Sequence, residues 1–116
     1  MTITLYGIAN CDTVKKARGW LDGQGIAFTF RDTKRAGVDA DKLARWIEAV
    51  GWEKVLNRSG TTFRKLADGD KVDLDASKAT ALMLAHPSAI KRPIVEFGDG
   101  GLLVGFDPET WSTALT

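Results

Sequence analysis

The chain opens on a short run rich in β-branched residues, Met1 to Ile8, which predicts a strand. Asn10-Cys11-Asp12-Thr13 is a turn with helix-start chemistry. Behind it Val14, Ala17 and Leu21 fall at helical spacing, with Lys15, Lys16 and Arg18 on the other side. Gly23 and Gly25 stop this helix. Ile26 to Phe30 alternates large and small side chains and predicts a second strand. Strand, helix, strand in this order favours a parallel βαβ unit, because parallel strands need a crossover.

Thr33 to Val38 is a polar connector. Asp39 or Asp41 can cap the next helix, whose apolar face is Leu43, Ile47 and Val50 and whose end is Gly51. Trp52 to Leu56 predicts a short helical turn, and Asn57 to Thr62 is loop-like. Phe63 to Leu66 fits either helix or strand, and Asp68-Gly69-Asp70 is another turn. Asp75 can cap a helix running to about His86, with Pro87 just beyond it. The pattern then returns to strands. Pro93 to Phe97 and Leu102 to Val104 flank Gly98-Asp99-Gly100-Gly101, a hairpin signature. Asp107-Pro108 opens a last helix, with Asp as N-cap and Pro at N1. A βαβ half and a ββα half form the thioredoxin arrangement. The expected fold is therefore α/β, a mixed four-stranded sheet, in a single domain with a helical insert over about residues 39–86.

Composition narrows the class. The 116 residues are 44% hydrophobic and 27% charged, ordinary for a globular chain. The net charge of +1 gives no global basic surplus, so nucleic acid is not an expected partner. The longest nearly apolar run, Ala79 to Ala85, is too short to span a bilayer, so no membrane is expected either. The first residues show no basic segment followed by a long apolar one. One cysteine, Cys11, and one histidine, His86, exclude an internal disulfide and a closed Cys/His zinc site. The expected compartment is a reducing cytoplasm.

Cys11 carries the candidate chemistry. Backbone N–H groups at a helix start favour an anion, and a thiol there is expected to ionise more readily to the reactive thiolate. Lys15 and Arg18 could add positive field. The alternative is a buried, inert cysteine packed as a small hydrophobe, which the polar neighbours Asn10, Asp12 and Thr13 disfavour. Cys-x-x-Cys would need a cysteine where Val14 stands, so a two-cysteine mechanism is excluded. A Cys-x5-Arg phosphatase loop would need arginine at Ala17, and the arginine comes one place late, at Arg18. Walker A, Gly-x-Gly-x-x-Gly and Gly-x-Ser-x-Gly motifs are absent. No metal, flavin or nicotinamide site is visible.

Arg92-Pro93 is the second informative pair. An X-Pro entering an apolar strand can be cis. In the thioredoxin arrangement such a proline faces the active cysteine, and an arginine before it could hold a thiolate or an anionic substrate. The alternative is a surface arginine ahead of a trans proline. Arg58, Arg64 and Lys65 flank Gly60-Thr61-Thr62, and Arg58 or Arg64 could be a further anion-binding arm or simply part of a solvated surface. Asn57-Arg58-Ser59 matches a glycosylation acceptor but has no meaning in the cytoplasm. His86 fits a C-terminal cap better than catalysis. Trp20, Trp46, Trp52 and Trp111 fit core and helix-face positions.

Four separated segments carry a family resemblance: Asn-Cys-Asp-Thr-Val-Lys-Lys-Ala-Arg (10–18), Leu-Asn-Arg-Ser-Gly-Thr-Thr-Phe-Arg-Lys-Leu (56–66), Ile-Lys-Arg-Pro-Ile (90–94) and Leu-Leu-Val-Gly-Phe (102–106). Together they resemble the ArsC/Spx family, and within it the YffB-like branch. The resemblance covers nearly the whole chain. It implies a thioredoxin-like fold and a glutathione- or glutaredoxin-linked thiol reductase. The family's nucleophile matches Cys11, its arginine before the cis-proline matches Arg92, and that proline matches Pro93. A mid-chain arginine of the arsenate reductases matches Arg58, or Asn57 if the alignment slips by one. Asn10, Thr13 and Lys15 complete the expected substrate-contact set.

A third arginine of the arsenate reductases follows the last strand, where this chain has Gly105-Phe106 and no later arginine, which speaks against arsenate as substrate. The Spx branch docks on RNA polymerase, and a single thiol does not exclude that role. The expected activity is a reductase using Cys11 through a mixed disulfide, with no bound cofactor and glutathione as co-substrate. With one cysteine, an external thiol, either glutathione or a glutaredoxin, must resolve that intermediate.

Overall fold

The computed structural model describes all residues, 1–116. In chain order the elements are β1 (Ile3–Gly7), α1 (Asp12–Gly23), β2 (Thr29–Asp32), α2 (Thr33–Ala36), α3 (Ala40–Val50), α4 (Trp52–Val55) and α5 (Thr61–Arg64). There follow α6 (Asp68–Lys71), α7 (Ala76–Ala85), a 3-10 turn (Pro87–Ala89), β3 (Ile94–Phe97), β4 (Gly101–Val104) and α8 (Pro108–Leu115). The chain divides into two compact units. One is Met1–Ala36 with Arg92–Thr116, and the other is Gly37–Lys91.

The first unit is a mixed four-stranded sheet in the order β2-β1-β3-β4, with β1 parallel to β2 and antiparallel to β3. The βαβ and ββα halves expected from the pattern are both there. Val14, Ala17 and Leu21 form the buried face of α1. They join Ile3, Leu5, Val95, Trp111 and Leu115 in one core, against which Trp20, Phe28, Phe30 and Phe106 pack. Arg18 has its guanidinium 4.3 Å from the Phe30 ring centroid, a cation–π contact between α1 and β2.

The second strand begins three residues later than the alternation over Ile26 to Phe30 suggests. Helix α1 closes in a Schellman motif. The Ile26 N–H donates to the Leu21 carbonyl (3.0 Å) and the Gly25 N–H to the Asp22 carbonyl (3.1 Å), with Gly25 at φ 70°. Ile26 therefore serves the helix end, and pairing with β1 starts at Thr29, opposite Thr4. The polar connector from Thr33 also differs from expectation, since its first four residues form α2.

Gly7 ends β1 close against Val14 of α1. A Cβ there would stand 2.7 Å from Val14 Cγ2. Gly7→Ala is expected to cost about 1–3 kcal/mol by overpacking, read as a lower urea midpoint. Adding Val14→Ala should recover part of that loss, so that the double variant is more stable than the sum of the two single effects.

In the second unit, Asp39 caps α3 by accepting from the Asp41 N–H (3.0 Å), and Asp75 caps α7 by accepting from the Lys78 N–H (2.8 Å). The buried face of α3 is Leu43 and Trp46, with Ile47 and Val50 only half-buried. Val55 to Asn57 runs against Ala89 to Lys91. Leu56 bridges Ile90, the Asn57 N–H donates to the Ala89 carbonyl (2.8 Å), and the Lys91 N–H donates to the Val55 carbonyl (2.7 Å). The segments around Phe63 and Asp68 each form one helical turn, α5 and α6. His86 is the C-cap of α7.

Candidate active site

The site is built at one end of the first unit's sheet. Strand β1 ends at Gly7, and the chain turns so that the Cys11 N–H donates to the Ile8 carbonyl (3.1 Å). Cys11 is the N-cap of α1, with extended backbone (φ −102°, ψ 126°), and its carbonyl accepts the Lys15 N–H (2.9 Å). Both sides of the residue are thus fixed. An N-cap side chain ordinarily accepts a hydrogen bond from the first turn's N–H groups. Cys11 makes no such bond, so its sulfur stands at that position uncommitted to capping. The thiol is free and half-buried, packed at the margin of the core. It is neither the deeply buried cysteine of the inert reading nor fully exposed.

Val14 stands where a second cysteine of a Cys-x-x-Cys would be. It is fully buried and in contact with the end of β1 at Gly7. This position is given over to packing.

Strand β3 supplies the next component. The Arg92–Pro93 peptide bond is cis. Tyr6 pairs with Ile94 across β1 and β3, so Pro93 lies one step beyond, at the end of the sheet from which the Cys11 turn departs. Pro93 is buried and Arg92 half-buried. The Pro93 carbonyl accepts the Gly105 N–H (2.8 Å), which extends the β3–β4 ladder to the same end. Phe106, next in the chain, packs edge-on against Trp111 (4.9 Å between centroids) and Trp20 (6.3 Å).

Of the residues singled out from the sequence, Cys11, Arg92 and Pro93 come to this end of one unit, together with Asn10, Thr13 and Lys15, all three exposed. Arg18 is in the same unit but is engaged with Phe30. Arg58 belongs to the other unit, exposed, with its guanidinium 5.6 Å from the Trp52 ring centroid. Asn57 accepts a hydrogen bond from the Ser59 hydroxyl (3.0 Å), and Arg64 is exposed at the end of α5. Two cations that the pattern assigned to a connector, Lys34 and Arg35, stand directly after β2 at the sheet end of Cys11. The signal available in the sequence was their position just past the second strand of a parallel βαβ unit. No group of three or more His, Cys, Asp or Glu residues is arranged to hold a metal ion, and no helix is long and apolar enough to cross a membrane.

A mixed sheet in this order, a lone cysteine at the N-cap position of the first helix and a cis-proline entering the neighbouring strand define a thioredoxin-like α/β protein with a one-cysteine site. The chain belongs to the ArsC family, whose profile matches residues 6–114. It is similar to a solved structure named YffB protein, with 55% identity and a TM-score of 0.95 over 99% of this chain and 100% of that one. An arsenate reductase (ArsC) related protein from Brucella melitensis is 52% identical, with a TM-score of 0.79 over 97% and 93% of the two chains. An uncharacterized protein of Haemophilus influenzae is 38% identical over 113 residues, 97% of this chain and 98% of that protein. At lower identity stands the global transcriptional regulator Spx of Streptococcus mutans, 26% over 109 residues, covering 92% of this chain and 78% of that one.

Proposed function

We propose that this protein is a glutathione-dependent thiol reductase with Cys11 as its nucleophile. The observation that carries the reading is the free, half-buried sulfur at the N-cap of α1, at the end of the sheet where the cis-proline stands. Cys11, as thiolate, attacks the glutathione sulfur of a glutathionylated substrate thiol. The Cys11–glutathione disulfide forms, the old S–S bond breaks, and the substrate leaves as thiolate. A second glutathione thiolate then attacks the glutathione sulfur of that intermediate. This releases oxidised glutathione and returns the Cys11 thiolate. In net terms the glutathionylated substrate and one reduced glutathione become the free substrate thiol and oxidised glutathione, so the incoming glutathione is the reductant, and a glutaredoxin thiol could take its place. The N–H groups of the first turn of α1 face the developing charge on Cys11, and Arg92 is the arm for a glutathione carboxylate.

Arsenate reduction fits less well. A tetrahedral oxyanion needs several charge-assisted hydrogen bonds. The residues following β4, where arsenate reductases carry an arginine, are Gly105 and the aromatic Phe106, which is committed to packing on Trp20 and Trp111.

The test is intact mass after exposure to oxidised glutathione. One glutathione per chain, mapped to Cys11 and removed by reduced glutathione, is the expected result. A chain that stays unmodified under conditions that modify free cysteine would overturn the reading.

A further inference from the structure

We propose that Lys34 and Arg35 form a second carboxylate-binding arm of the Cys11 site, across from Arg92, and select a thiol partner with a carboxylate on each side of its sulfur. The inference rests on the reading of Cys11 as the nucleophile and adds what that nucleophile prefers.

Strand order decides which residues flank Cys11. Strand β1 lies between β2 and β3, and its last residue, Gly7, pairs with Asp32 on the β2 side. On the β3 side, the pairing of Tyr6 with Ile94 brings Pro93 and then Arg92 to the same end. The turn that carries Cys11 leaves from the middle strand. Chain positions with fixed positive charge therefore flank it on both sides.

The β2 side is held in place. The Thr33 hydroxyl donates to the Gly7 carbonyl (3.3 Å), which ties the start of α2 to the end of β1. Asp32 Oδ1 accepts the N–H groups of Lys34 (2.9 Å) and Arg35 (3.3 Å). These bonds fix the two backbones just beyond the sheet and leave both residues exposed. Among the neighbouring anions, Asp32 holds those amides through Oδ1, and Asp12 stands in the first turn of α1.

The spacing suits the ligand chemistry. Strands β2 and β3 are two strand intervals apart, roughly 10 Å. An extended tripeptide also spans roughly 10 Å. A tripeptide thiol with its sulfur on the middle residue and a carboxylate at each end, as in glutathione, can present its sulfur over β1 with one carboxylate toward Arg92 and the other toward Lys34 and Arg35. A small neutral disulfide gains nothing from either arm.

The experiment compares two disulfides, oxidised glutathione and the neutral bis(2-hydroxyethyl) disulfide. The rate of Cys11 modification is followed by intact mass at low ionic strength. Lys34→Gln/Arg35→Gln removes both charges and leaves a polar, unbranched side chain at each position. Arg45→Gln/Lys54→Gln, at exposed positions of the other unit, makes the same change in net charge. The first pair should slow modification by oxidised glutathione about 5–10-fold and leave the neutral disulfide within about twofold. The control pair should stay within about twofold for both reagents. Lys34→Gln and Arg35→Gln singly should each give a smaller fall, which keeps the test open if the double variant folds poorly. An unchanged ratio between the two disulfides, or an equal fall in the control pair, overturns the second arm. A wild-type chain that reacts with neither reagent overturns the parent reading as well, a failure visible before any variant is made.

Discussion

Replacing Cys11 with serine is expected to abolish disulfide exchange, a loss of at least about 10³-fold, with no loss of stability. The two effects separate because Cys11 has two roles. Chemically, it is the single sulfur in the chain able to enter a mixed disulfide, and a serine hydroxyl cannot take its place. Structurally, it is the N-cap of α1 and makes no side-chain capping bond. Serine is among the preferred N-caps, because its oxygen can accept from the N–H of the second or third helical residue, here Thr13 or Val14. The substitution should therefore leave the urea midpoint unchanged or raise stability by up to about 1 kcal/mol. Glutathione-coupled turnover and denaturation on the same preparation check both halves. Residual turnover above the uncatalysed rate would remove Cys11 from the mechanism. A large drop in stability would mean that the sulfur's packing against the core, not its reactivity, explains its position.

How far the sequence reveals this site depends on whether local chemistry or chain topology decides each feature. Helix α1 is readable because Val14, Ala17 and Leu21 repeat at its own period and Cys11 begins it. Asp75 and Asp107 are readable as caps, and Asp39 as one of two candidates beside Asp41, because capping is a short-range hydrogen bond, and Asp39, Asp75 and Asp107 each accept one. The start of β2 is not readable. Ile26 alternates like a strand residue, and its capture by the Schellman motif depends on where the helix ends. The face of α3 shows a similar limit, since Leu43 allows either Trp46 or Ile47 as its partner at helical spacing and packing selects Trp46. Helices α2, α5 and α6 are four residues each, too short to show a period or to be stable alone. In the site, the pattern allows Arg92–Pro93 to be cis or trans. Lys34 and Arg35 look like any polar connector until the sheet order brings them to the end of β1.

The second large effect falls in the core that α1 and α8 share against the sheet. Trp111→Ala is expected to cost about 3–5 kcal/mol, a large share of the ~5–15 kcal/mol that holds a domain of this size together. Trp111 is 1% exposed on α8. It stands edge-on to Trp20 (6.0 Å) and Phe106 (4.9 Å), and Trp20 and Phe106 meet in turn at 6.3 Å. The two rings that remain are stiff side chains that fill the space of the missing one poorly, so the cavity term should be near the upper end. The loss also reaches the site. Trp111 Nε1 donates to the Gly105 carbonyl (3.1 Å), and the Gly105 N–H donates to the Pro93 carbonyl (2.8 Å). The indole thus anchors the residue that extends the ladder beside the cis-proline. Trp111→Phe keeps one six-membered ring, loses that hydrogen bond at about 1–3 kcal/mol for a polar group left unsatisfied, and opens a smaller cavity than alanine does. Urea denaturation of both variants should order them wild type, Phe, Ala. Equal costs would assign the effect to the Gly105 bond alone. A cost below about 1 kcal/mol for alanine would show that the ring cluster collapses onto the gap, and the aromatic packing would then not be what holds α8 against the end of the sheet that carries Pro93.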